Sequence, residues 1–303
     1  MVAGSLLTAL LEASPSLRNT LPNIARAAAS NAPMLLLGEP GTGKSAFAHA
    51  CHQASTRASS AMVEVDPAAI PATLFESELF GHQAGAFTGA THAQPGRVAR
   101  AEGGTLVLDR VELLPADVQP KLLRLLAEGC YTPLGGAEQR ADVRFIALGT
   151  EDLQERVEQG LFRRDLFFRL EVLALRLPPL RQRRGDLGPL CRNLLDDLAQ
   201  RFRRPPPRLA PTASAWMTEY PWPGNLRELR NVLERAMVID HGEQLDPPPP
   251  RGRGARPLSL RELECEHLRT VLAYTRGHQG RAAEILGISR KSLWEKRKRH
   301  GIG

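Results

Sequence analysis

Residues 34–45 read Met-Leu-Leu-Leu-Gly-Glu-Pro-Gly-Thr-Gly-Lys-Ser, and this stretch decides the fold. Four apolar residues in a row, with no polar alternation, suit a strand covered on both faces. The run breaks at Gly38 into a loop in which Gly38, Gly43, Lys44 and Ser45 fit the pattern G-x-x-x-x-G-K-[ST]. In such loops the backbone amides cradle phosphates, the lysine neutralises charge and the hydroxyl binds magnesium. A helix-compatible segment, residues 46–53, follows. Strand, glycine loop and helix together make Gly38, Glu39, Pro40, Gly41, Thr42, Gly43, Lys44 and Ser45 the expected site for ATP and Mg2+.

Working outward, Thr105–Leu108 is a second apolar run ending in Asp109, and Val143–Leu148 is a third ending in Gly149-Thr150. Buried strands alternating with helical segments predict an α/β fold with a parallel sheet over residues 1–175. A carboxylate at a strand terminus points toward the phosphate loop, so Asp109 is the expected metal partner of Ser45. From about Leu180 the spacing of Leu187, Leu190, Leu194, Leu195 and Leu198 is helical. A turn at Pro221-Trp222-Pro223-Gly224 precedes another helix over 225–239, and residues 176–243 are read as a helical subdomain. Residues 244–257 contain the run DPPPPRGRGARP and are read as a linker, which leaves 258–303 as a small all-α unit.

The 303 residues carry a formal charge of +7, and the basic excess sits at the C-terminus. Arg281, Arg290, Lys291, Lys296, Arg297, Lys298 and Arg299 face only Glu284 and Glu295, which points to a polyanionic partner. Cys51, Cys130, Cys191 and Cys265 have no Cys-x-x-Cys spacing, so they are read as reduced packing residues and neither zinc nor a disulfide framework is expected. No apolar run approaches a membrane span and no signal peptide is visible; a cytoplasmic protein without a membrane partner is expected.

Gly85-Ala86-Phe87-Thr88-Gly89-Ala90, preceded by Glu78-Leu79-Phe80-Gly81-His82, resembles the GAFTGA loop of the sigma-54-dependent transcription activators. The resemblance continues through Phe162–Leu170, Leu177-Pro178-Pro179-Leu180-Arg181 and Trp222–Leu229. It implies an AAA+ domain with a helical lid, and a hexameric ring, homo- or hetero-oligomeric, that acts on sigma-54 RNA polymerase holoenzyme. It also implies that residues 85–90 contact the sigma factor, and that Arg163 and Arg169 reach a neighbour's γ-phosphate. Arg227 takes the position that closes the lid on nucleotide. The C-terminal unit resembles a Fis-type helix-turn-helix for enhancer DNA. Residues 281–286 form its first helix, Gly287-Ile288 the turn, and Ser289 caps a second helix. Ser289, Arg290, Lys291, Ser292, Glu295, Lys296 and Arg299 are its expected DNA-facing residues.

Three positions depart from the family pattern. Arg110 stands where the family has a Glu that orients the attacking water, Asp66 where it has the Asn that bonds this Glu, and Thr150 where it has the sensor I Asn. A guanidinium cannot accept the water's proton, so beside the ATP-dependent activator stands an alternative: an ATP-binding, weakly hydrolysing DNA-binding subunit of a mixed ring, or a regulator of an active relative. Asp66 and Arg110 are expected to form an ion pair, buried beside the γ-phosphate. Glu112 is the alternative carboxylate. The phosphate loop begins at Gly38, so control from outside the chain is expected, and the resemblance implies a separate binding protein, a co-activator or the chain's own abundance.

Overall fold

Why Met34–Leu37 carries no polar residue is plain from its position: it is β1, an inner strand of a five-stranded parallel sheet. The computed structural model describes residues 14, 16–17, 24–240, 242–250, 264–265, 267–268, 271–272, 275 and 278–300. Met62–Val65 (β2), Thr105–Leu108 (β3), Arg144–Gly149 (β4) and Leu173–Arg176 (β5) complete the sheet in the order β2-β3-β4-β1-β5. The three inner strands are buried at every position. The edge strands β2 and β5 are only partly buried, as expected where one side of the ladder ends.

Alternate residues of each inner strand feed two cores. Leu35, Leu37, Leu106, Leu108, Phe145 and Ala147 pack on one face against helices Ala72–Phe80 (α2) and Gln119–Glu128 (α3). Met34, Leu36, Val107, Ile146 and Leu148 pack on the other against Phe47, Ala48 and Cys51 of helix Lys44–Gln53 (α1). Arg144, 1% exposed, opens β4 inside this second layer. Its guanidinium donates to the Cys51 carbonyl at 3.3 Å and the Ala27 carbonyl at 3.4 Å, and burial pushes its pKa down. Burial likewise pushes the Cys51 thiol up to about 12. All four cysteines are free.

The helical subdomain contains Leu187–Phe202 (α5), Pro211–Glu219 (α6) and Asn225–Ile239 (α7). Leu187, Leu190, Leu195 and Leu198 are buried in its core, with Leu194 packed at the margin. Trp216, Tyr220 and Trp222 pack their rings in mutual contact, centroids 5.0 to 6.0 Å apart. Here the structure differs from the expected domain boundary. Gln244–Leu245, placed in the linker by composition, pairs in parallel with Arg208–Leu209, and Leu245 is fully buried. Thr212 donates to Asp246 at 2.8 Å and the Trp216 indole to the Pro247 carbonyl at 3.0 Å. Residues through Pro249 therefore belong to the first compact unit, and Pro250–Gly303 is the second. Most of the expected linker after that point lies outside the described residues.

In the second unit, Gln279–Ile285 (α8) and Arg290–His300 (α9) flank a turn at Gly287, whose φ is +64°. Leu268, Val271, Leu272, Ala282, Ala283 and Leu293 form its core. Among the described residues no helix is long and apolar enough to cross a membrane.

Candidate functional site

The phosphate loop leaves β1 at Gly38, whose N–H donates to the Gly149 carbonyl at the end of β4, 3.2 Å away. Gly41 has a φ of +80°, and a Cβ there would stand 2.4 Å from the Gly224 carbonyl oxygen. Only glycine lets the loop adopt that conformation so close to another backbone. Gly43, φ +102°, turns the chain into α1, whose first turn has no side-chain cap and no acid, so its amides face the loop. The Lys44 ammonium donates to the Gly38 carbonyl at 2.6 Å and the Glu39 carbonyl at 3.1 Å. Burial lowers its pKa, while the charges of Glu112 and Asp109 oppose that shift. The Thr42 hydroxyl donates to the Glu39 carbonyl at 2.8 Å, and Ser45 is exposed one residue past Lys44.

The lid clasps this loop through contacts that sequence reasoning missed. Arg181 makes a two-point contact with the Glu39 carboxylate at 2.6 and 2.8 Å and holds its pKa down. Buried Asn225, φ +52°, accepts from the Leu180 N–H at 2.8 Å and donates to the Pro40 carbonyl at 3.1 Å. The Leu226 N–H donates to the Gly41 carbonyl at 2.9 Å, and buried Arg183 donates to the Thr42 carbonyl at 3.1 Å. Arg227 follows with its head exposed and its Cβ against Gly41. An Asn after Gly in a turn was the available signal for Asn225, since Asn tolerates left-handed backbone.

Asp109 ends β3, and its carboxylate accepts from the Arg110 N–H at 2.9 Å. Arg110 is held at φ +49°, ψ +49°, a left-handed conformation rare for a side chain of this size. That turn sends its guanidinium to Asp66, with Nε 2.9 Å from Oδ1 and Nη2 on Oδ2. The expected contact is formed, but it is not buried: the side chains are 47% and 28% exposed. Burial was inferred from the position of the family Glu, and the left-handed residue turns this side chain away. Thr150 instead donates to Glu112 Oε1 at 3.2 Å.

Arg163 and Arg169 lie exposed at the start and along helix Arg164–Leu170 (α4). Arg163 is paired with Asp165 at 2.7 Å, which raises its pKa, and Arg169 donates to the Leu126 carbonyl at 3.2 Å. Residues 85–90 sit at the tip of a hairpin whose base pairs Gly81–His82 with Gln94–Pro95. The Gly85 N–H donates to the Ala90 carbonyl at 2.8 Å, closing the loop. Thr88 is exposed, and Phe87 leaves its ring edge-on to His82 at 5.0 Å. In the second unit Ser289 accepts from the Ser292 N–H at 3.1 Å and caps α9. Arg290, Lys291, Glu295 and Arg299 are exposed, with Ser292 partly buried. Lys296, expected to face DNA, is instead bound to Glu264, which also accepts from His300 at 2.9 Å. Trp294, 56% exposed with Lys298 over its ring at 5.3 Å, was not singled out by the sequence pattern.

Residues 10–176 match the sigma-54 interaction domain, 181–248 an AAA+ ATPase lid domain, and 259–300 the Fis family of bacterial regulatory proteins. The chain belongs to the sigma-54 interaction domain family. Among its curated relatives, the alginate biosynthesis transcriptional regulatory protein AlgB of Pseudomonas aeruginosa is 41% identical over 300 residues, covering 95% of this chain and 67% of AlgB. The regulatory protein AtoC of Escherichia coli is 39% identical over 312 residues, covering 97% and 68%. The chain thus spans about two thirds of the length of these relatives. The crystal structure of NtrX from Brucella abortus in complex with ADP superposes with a TM-score of 0.70 at 32% identity, covering 95% of this chain and 69% of NtrX. A sigma-54 interaction domain joined to a Fis-type helix-turn-helix makes this chain a transcription activator.

Proposed function

We propose that this sigma-54 activator binds MgATP in the phosphate loop and enhancer DNA through α9, and uses residues 85–90 to remodel sigma-54 RNA polymerase holoenzyme in the cytoplasm. The observation that carries the reading is the exposed Phe87-Thr88 tip on a paired hairpin, in a chain that also holds a lid-clasped phosphate loop. Small residues let the tip refold and one aromatic supplies an anchor for the partner.

The fit to nucleotide is supported by the uncapped α1 start, the left-handed glycines and the Lys44 ammonium among them. Mg2+ is commonly held by one or two protein oxygens together with phosphate oxygens; Ser45 and Asp109 would supply them. Bound there, the cation would neutralise charge on the phosphates. Exposed Arg163 and Arg169 suit contacts to the nucleotide of a neighbouring subunit in a hexameric ring, where Arg163 would exchange Asp165 for phosphate. Arg227, beside Gly41, would close the lid on the same nucleotide.

Arg110 in place of a water-orienting Glu favours a second reading, a subunit of a mixed ring that binds ATP and turns it over slowly. Phosphate release measured on the purified chain separates the two.

The test of the main reading is capture of the sigma factor with a γ-phosphate analogue. Thr88→Ala should lose the complex while keeping nucleotide and DNA binding. An unchanged complex would remove the loop from this role.

A further inference from the structure

Glu112 is buried at the end of the sheet with one carboxylate oxygen unpaired. It lies in the short turn Val111–Leu113 after β3 and is 7% exposed. Oε1 accepts from the Thr150 hydroxyl at 3.2 Å, while Oε2 is buried without a hydrogen-bond partner. A buried carboxylate oxygen left unpaired is costly, and in a native fold it calls for an explanation such as a catalytic role or an ordered water. Oε2 lies beside the end of β4: a Cβ at Gly149 would stand 3.4 Å from it, and Gly149 is in register with Leu37, the last residue before the phosphate loop. The left-handed Arg110 sets this up, since it turns residue 110 outward to Asp66 and residue 112 inward.

We propose that Glu112 is a catalytic residue that orients and deprotonates the attacking water, a carboxylate displaced by two residues from the position Arg110 occupies. The inference rests on the phosphate loop being the ATP site. Glu112 accepts a proton from the water as the water oxygen bonds to the γ-phosphorus. The bond from that phosphorus to the β–γ bridging oxygen breaks, its electron pair leaves with ADP, and the proton passes on to phosphate or solvent. Thr150 is the positioning residue: its hydroxyl, shared with Asp152 at 3.4 Å, holds Oε1 and leaves Oε2 unpaired for the water. On this account two departures from the family, at 110 and 150, are one rearrangement, and the chain hydrolyses ATP.

The test uses the full chain, with MgATP affinity read from a fluorescent ATP analogue and turnover from phosphate release. Glu112→Gln should keep affinity within a few-fold and lose turnover by roughly a hundredfold or more. Glu112→Asp keeps the charge beside Lys44 but withdraws the oxygen by a methylene. It should lose about tenfold or more at unchanged affinity, whereas a mere counter-charge to Lys44 would tolerate it. Wild-type turnover in Glu112→Gln overturns the proposal, and so does a wild-type chain that binds MgATP without hydrolysing it. Equal losses of affinity and turnover also overturn it, assigning Glu112 to Lys44 or the metal. A wild-type chain that binds no MgATP overturns the reading of the phosphate loop as well, which separates the two failures.

Discussion

At the scale of single residues, the pair Asp66–Arg110 shows how far a sequence departure can be followed. Two coupled changes in the family pattern were enough to expect the contact, and the guanidinium does meet the carboxylate through two nitrogens. Its exposure was not legible, because the direction of Arg110 depends on a left-handed backbone that no residue type announces. Partly exposed ion pairs contribute roughly 0.2–1 kcal/mol, so Arg110→Ala should cost no more than about 1 kcal/mol by chemical denaturation. Arg110→Gly loses the same pair but relieves the left-handed strain, and should be more stable than Arg110→Ala by about 1 kcal/mol. The reverse order would mean that the pair, and not the backbone, governs this turn. Glu112 was harder still to read. A lone Glu after a strand is usually solvated, and only the packing of Gly149 and Thr150 around it makes it a buried acid.

Among elements, legibility followed the strength of the repeating pattern. The inner strand β1 is a continuous apolar run, β3 and β4 are apolar after their opening Thr105 and Arg144, and α5 repeats its leucines at helical spacing, so all four were visible. Edge strands β2 and β5 mix polar and apolar residues, and the pairing of residues 208–209 with 244–245 has no period to detect. The contact of the lid with the phosphate loop is nonlocal and depends on the side chains of Arg181, Arg183 and Asn225 together with the Leu226 N–H. Asn225→Ala leaves the Leu180 N–H and the Pro40 carbonyl without their partners in a buried turn, and should cost about 2–3 kcal/mol. It should also weaken nucleotide binding, because the turn that seats Arg227 loosens with it. Full nucleotide affinity at reduced stability would confine Asn225 to a role in folding.

For the whole molecule, the basic C-terminal unit should supply DNA binding that weakens steeply with salt, since α9 displaces counterions from phosphates. Alanine at Arg290 and Lys291, both exposed, should weaken binding to the cognate enhancer in a titration. Lys296→Ala should matter less, because its ammonium is already engaged by Glu264. A chain truncated after Pro249, where the first compact unit ends, should lose the enhancer altogether. Undiminished enhancer binding by that chain would place DNA recognition elsewhere. Joining the parts, nucleotide turnover at the phosphate loop should drive residues 85–90 against the sigma factor while α9 holds the DNA. The direct measurement is promoter opening by sigma-54 polymerase, read by strand reactivity with this activator bound to its enhancer. Expected is opening that needs hydrolysable ATP and vanishes in Thr88→Ala, with ATP and DNA binding retained. Opening without ATP, or undiminished opening by Thr88→Ala, would contradict it.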